Sequence, residues 1–154
     1  HAIDDHRVFR YFVSEEKYRQ LKRFSVKGND LVISCSGTIG KIIQIRDNDP
    51  IGIINQALLI LRVDESIYSS ELLRIFLITS EGNAALLEES HGSAQVNIGK
   101  REQIEAISIL IPPKEIIEEL TSELRSIDKA ILLKKEELRY LNSMQTLILS
   151  KMGA

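Results

Sequence analysis

Beyond Pro112-Pro113 the chain runs from Lys114 to Met152 without a glycine or a proline, and its charges alternate in sign. Ile117, Leu120, Leu124, Ile127, Ile131, Leu138, Leu141 and Ile148 recur on alternating steps of three and four residues. Lys134 and Gln145 fill the two polar places in that seam. The spacing is the heptad pattern of a coiled coil. A helix of about 38 residues is about 57 Å long, too long to lie wholly against the small domain that the remaining residues can build. Its stripe therefore calls for a second helix, and a second copy of the chain is the economical partner. An amphipathic helix folded back on its own domain is the alternative.

The residues before the prolines read as a mixed α/β head. Ser14 caps a short helix in E-E-K-Y-R-Q-L-K-R-F, with Tyr18, Leu21 and Phe24 on one side and basic residues on the other. V-K-G-N-D turns the chain into the strand Leu31 to Ser34, and a second strand is expected from Ile42 to Arg46. D-N-D-P marks a turn; I-G-I-I and A-L-L-I-L-R-V read as two further buried strands around the polar pair Asn55-Gln56. A helix is expected from Ser69 or Ser70 to Ser80, interrupted at Gly82-Asn83, with a second helical piece to about Ser90. The polar loop H-G-S-A-Q-V-N-I follows, then a short helix around Lys100–Ile104 and a strand from Ala106 to Ile111. The expected class is α+β: a small mixed head over residues 1–111 and a long coiled-coil helix over 112–154.

With 44% apolar residues the chain can build a real core. No apolar run reaches the roughly 18–20 residues of a membrane span. One cysteine and no signal-peptide pattern fit a reducing, cytoplasmic setting. Three scattered histidines and Cys35 lack the close spacing of a zinc site. The net charge of −2 is unevenly spread: residues 1–46 carry nine Lys/Arg against five Asp/Glu, whereas residues 47–100 carry three against eight. The basic share thus falls in the first third of the chain, an asymmetry that permits a nucleic-acid partner.

S-C-S-G-T-I-G-K, Ser34 to Lys41, invites a phosphate-binding reading, but a P-loop needs a first glycine where Cys35 stands and a Ser or Thr where Ile42 stands. The loop is then a turn made possible by Gly37 and Gly40, or a backbone contact through Ser36, Thr38 and Lys41. Ser93, Gln95 and Asn97 carry donors and acceptors suited to base edges, and could equally satisfy local backbone. Lys17, Arg19, Lys22, Arg23 and Lys27 form either an ordinary solvated face or a phosphate-binding one. Asn55-Gln56 is expected to cap strand ends inside the domain, with DNA contact as the alternative. Cys35 has no identifiable base nearby and reads as a small buried residue rather than a nucleophile. No nucleophile–base–acid set or cofactor fingerprint is legible, so an enzyme is not expected.

The ordered set G-T-I-G-K, N-Q before an apolar strand ending in Arg62, H-G-S-A-Q-V-N-I, I-S-I-L-I-P-P and a long heptad helix resembles the specificity subunits of type I restriction-modification systems. The resemblance spans about residues 14–152 and corresponds to one target-recognition domain with one helical spacer. It implies a non-catalytic reader of double-stranded DNA whose helix scaffolds methyltransferase subunits, with a motor-nuclease subunit as a further partner. S-adenosylmethionine would be held by the methyltransferase. Members usually hold two recognition domains whose helices pair antiparallel; an antiparallel homodimer of this chain would restore that arrangement by a two-fold axis. A coiled-coil interaction module that partners or inhibits such a complex is the competing expectation.

Overall fold

Leu31–Ser34 is the strand around which the head is built. In the computed structural model, which describes residues 11–89 and 96–152, all four of its residues are buried. The elements in order are α1 (Glu15–Gln20), a 3-10 turn (Lys22–Phe24), β1 (Ser25–Val26), β2 (Leu31–Ser34), β3 (Ile42–Gln44), β4 (Gly52–Ile53) and β5 (Leu58–Leu61). After these come α2 (Ser70–Ile78), α3 (Ser80–Leu86), β6 (Leu87–Glu89), β7 (Val96–Ile98), α4 (Arg101–Glu105) and α5 (Lys114–Met152). The class is α+β. β2 is central in an antiparallel sheet of order β3-β2-β5, β1 pairs with β4, and β6 with β7.

Register follows burial. Leu31 and Ile33 point to one side and meet Leu77 and Leu86 from α2 and α3; Ile42, Leu59, Leu61, Leu73, Phe76, Ile98 and Ile104 pack around them. Val32 points to the other side and is buried as well. Such a strand reads as an uninterrupted apolar run, because side chains alternate between faces and neither face meets water. Asp30, at its entry, is 1% exposed and is held by Arg62 through two bonds of 2.7 Å, Nε to Oδ1 and Nη2 to Oδ2. The same carboxylate accepts the Lys27 amide at 2.9 Å, closing the K-G-N-D turn.

Ser14 caps α1 by accepting the Lys17 amide, as its position suggested. The helical region after Tyr68 departs from expectation in two ways. The break falls at Thr79, not at Gly82-Asn83: the Thr79 hydroxyl donates to the Phe76 carbonyl at 2.7 Å and accepts the Gly82 amide at 3.1 Å, so it ends α2 and caps α3. Gly82 lies inside α3, where a Cβ would sit 2.1 Å from the Phe76 carbonyl oxygen; its role is close approach. The second helical piece also stops at Leu86, and Leu87–Glu89 form a strand.

The expected strand Ala106–Ile111 joins no ladder among the described residues. Ala106 ends α4, Ile107 and Ile109 are half-buried, and Leu110 is 86% exposed. Alternating burial produced the strand-like pattern without a neighbour to pair with. The other apolar runs shrink in the same manner: β3 ends at Gln44, and I-G-I-I yields two ladder residues.

α5 has 39 residues and is therefore about 58 Å long. Its first turns pack on α2, burying Ile117 and Thr121; Leu124 and Leu132 are half-buried, and every residue from Leu133 to Met152 is exposed. Ile117, read in the sequence as part of the dimer seam, is buried against its own head. The rest of the seam stays open, with Leu120 39%, Ile127 54%, Ile131 46%, Leu138 58%, Leu141 54% and Ile148 55% exposed.

Candidate functional site

The Ser34–Lys41 segment is a built turn. The Ser34 hydroxyl donates to the Thr38 carbonyl and accepts the Lys41 amide at 3.0 Å, while the Ser34 backbone carbonyl accepts the Gly40 amide at 2.9 Å. Gly37 and Gly40 have φ of 74° and 76°, the left-handed region where a Cβ collides with the following carbonyl. A Cβ on Gly40 would also meet Asn83 at 3.2 Å and Leu87 at 3.5 Å. Geometry alone thus accounts for both glycines and for Ser34. Ser36, Thr38 and Lys41 remain exposed at the rim.

Contacts assemble other loops beside this turn. The Cys35 amide donates to the Ala57 carbonyl at 2.8 Å, which fixes the turn Asn55–Ala57 against it. Asn55 satisfies local backbone, accepting the Ala57 amide at 3.0 Å, as its expected capping role requires. One residue earlier, the Ile54 amide donates to the Phe24 carbonyl at 3.0 Å and anchors the 3-10 turn that carries Lys22 and Arg23. On the other flank, Gly40 abuts Leu87, which pairs with Ile98 at the base of the β6–β7 hairpin.

The predicted residues are therefore only partly brought together. Lys22, Arg23, Ser36, Thr38 and Lys41 are exposed on loops linked by these contacts. Lys17 and Arg19 lie exposed on α1 just before them; Arg19 pairs with Glu15, and the Arg23 guanidinium lies 4.6 Å from the Phe24 ring centre. Lys27 stands apart, in the turn at the opposite end of β2. Asn97 takes its register position in β7 opposite Glu88, whereas Ser93 and Gln95 lie outside the described residues. Sequence reading passed over Lys100, which is exposed and stands at the N-cap of α4, two residues beyond Ile98 at the same hairpin base. The cue was its position just after the polar loop.

Burial pushes the Cys35 thiol up from its ordinary value, which leaves it mostly protonated near neutrality. Among the described residues, no group of three or more His, Cys, Asp or Glu could hold a metal ion, and no helix is long and apolar enough to cross a membrane.

A loop-bearing α+β head on a rod with an open apolar stripe has the build of a recognition-and-assembly protein. The type I restriction modification DNA specificity domain matches residues 9–143. The chain belongs to that family. No curated protein matches the chain.

Proposed function

We propose that the chain reads one half of a bipartite site in double-stranded DNA and scaffolds the methyltransferase subunits of a type I restriction-modification system. It performs no catalysis of its own. The observation that carries this reading is the specificity-domain match over both head and rod, residues 9–143, joined to the open stripe on α5. In this reading Lys17, Arg19, Lys22, Arg23, Ser36, Thr38 and Lys41 set register on phosphates, with Lys27 reaching a separate backbone position. Base edges are read by Ser93, Gln95 and Asn97.

Two copies pair antiparallel through Leu120, Leu124, Ile127, Ile131, Leu138, Leu141 and Ile148, and the two heads face half-sites related by a two-fold axis. S-adenosylmethionine arrives on the methyltransferase, a motor-nuclease subunit joins the assembly, and the complex works where the cytoplasmic DNA is.

The test is duplex binding by the purified chain, alone and beside methyltransferase subunits, across a salt series. Affinity should fall steeply and log-linearly with salt as counterions are released. A head that ignores duplex DNA at low salt, even beside methyltransferase, refutes the reading and favours a protein-interaction module. Sedimentation supplies the second arm: Ile127, Ile131 and Leu138 replaced together by Glu should give monomers, and an unchanged mass would remove the helix pairing.

A further inference from the structure

Head and rod are joined as much by charge as by apolar contact. On α5 only Ile117 and Thr121 are buried, whereas two ion pairs cross to α2. Arg125 Nε donates to Glu71 Oε1 at 2.6 Å, and Arg74 Nη2 bonds Asp128 Oδ2. The Glu71 side chain is 5% exposed and also accepts the Ser69 hydroxyl at 3.0 Å, so its carboxylate is held from the head side as well as from the rod. The Arg74 side chain is 18% exposed. The pairs are three residues apart on each helix, about one turn.

Their signs matter more than their number. Along the chain α2 presents minus then plus, and α5 presents plus then minus. If α5 slid one turn one way, Asp128 would come opposite Glu71. One turn the other way, Arg125 would come opposite Arg74. Either slip replaces attraction with like-charge contact in a partly buried seam, a penalty that apolar packing alone would not impose.

We propose that Glu71–Arg125 and Arg74–Asp128 form a register lock that fixes where the head sits on its rod, and so fixes the half-site spacing the protein accepts. The spacing clause rests on the DNA reading above; the lock does not. A one-turn slip moves a head by about 5.4 Å along α5. In a two-fold dimer both heads move, about 11 Å in all, or about three base pairs at the 3.4 Å rise of DNA. The four side chains are positioning residues.

The decisive variant is Arg125→Glu with Asp128→Arg. In the native register it sets Glu against Glu71 and Arg against Arg74, while a one-turn slip in either direction creates an attractive pair. Spin labels on cysteines at Asn48 and Ser143, in a Cys35→Ser background diluted with unlabelled chain, report the head-to-rod distance. The double variant should move the mean by about 5 Å or split the distribution. Adding Glu71→Arg and Arg74→Glu should restore the original distance. An unchanged distribution in the double variant overturns the lock. Should that variant fail to fold, Arg125→Ala with Asp128→Ala should broaden the distribution around the native mean, and a distribution as narrow as the parent's overturns the lock equally.

The spacing clause is read on duplexes selected from a randomised pool by the parent chain, then remade with the half-sites one to four base pairs closer or farther. The optimum should shift or broaden in the double variant and return in the charge-restored one. A distance that moves while the optimum stays sinks the spacing clause alone. A parent chain that selects no duplex sinks the DNA reading, and the distance measurement still decides the lock.

Discussion

Arg62→Ala and Asp30→Ala remove the two halves of one ion pair, yet they should not cost the same. Asp30 is 1% exposed, whereas the Arg62 side chain is 48% exposed. Removing Arg62 strands a carboxylate that lies buried beneath it, with the Lys27 amide left to bond it and water reaching it only where the guanidinium stood. Stranding a buried charge costs about 3–5 kcal/mol, and the lower end applies here because that amide remains. Removing Asp30 leaves a guanidinium that water can solvate and takes the acceptor from the Lys27 amide, so the loss is that of the hydrogen bonds the carboxylate accepted, about 1.5 kcal/mol. The double variant should resemble Asp30→Ala, giving a coupling energy of about 3 kcal/mol. The assay is urea unfolding at one fixed protomer concentration, since self-association would shift the midpoint. With a slope of about 2 kcal/mol/M, Arg62→Ala should unfold about 0.75 M earlier than Asp30→Ala. Equal midpoints, or a double variant no better than Arg62→Ala, would refute the claim that the desolvated carboxylate dominates.

Gly82→Ala should gain about 1 kcal/mol of helix propensity and lose more to a Cβ placed 2.1 Å from the Phe76 carbonyl oxygen. A net loss of about 1–2 kcal/mol should lower Tm by about 5 °C by calorimetry. Gly40→Ala, at φ of 76°, should cost about 1–2 kcal/mol. Lys41→Ala should weaken duplex binding alike for all sequences and reduce the salt slope by about one; no loss of binding with the fold intact would leave the loop a turn only. For Glu71, burial pushes the carboxyl up, but the hydrogen bonds from Arg125, its own backbone and Ser69, together with the Arg125 charge, outweigh it and hold the group below the ordinary value it has when unfolded. Its contribution to stability is therefore present above that unfolded-state value and is lost as pH falls through the lower folded value. Glu71→Gln should flatten the acid limb of Tm against pH; an identical limb would show that the pair does not couple to folding.

Much of the head was legible because local signals agreed with the fold. Ser14 before a basic amphipathic stretch marked α1, and uninterrupted apolar runs marked β2 and β5. Gly37 and Gly40 marked a turn. What escaped was decided by groups distant in sequence. The α2–α3 break lies at Thr79 because a hydroxyl there can end one helix and cap the next, whereas Gly82, the stronger breaker by propensity, is used for close packing. Ala106–Ile111 has the alternation of a strand, but a ladder needs a partner, and sequence alone does not supply one. The adjacency of Ser36–Lys41, Asn55–Ala57 and the β6–β7 base rests on single contacts such as Cys35 to Ala57, which no periodicity announces.

The rod shows the same limit most clearly. Counting apolar residues finds one stripe, and that stripe was assigned wholly to a second helix. In the structure one side of α5 meets the head and another, apolar, side lies open. Arg125 and Asp128 form a charged line that meets the head through Glu71 and Arg74, and of the apolar seam only Ile117 is buried. At about 100° per residue, Leu120, Ile127 and Ile131 lie some 40–80° round the helix from Ile117, clear of the head. Hydrophobic periodicity is blind to the first face because its partners are charges satisfied 54 positions away in the chain. A helix that had to serve both faces with leucine and isoleucine would present one broad apolar arc, with no physical rule for which side takes the head. Writing the head-side contact in alternating charge removes that ambiguity and leaves the apolar face open.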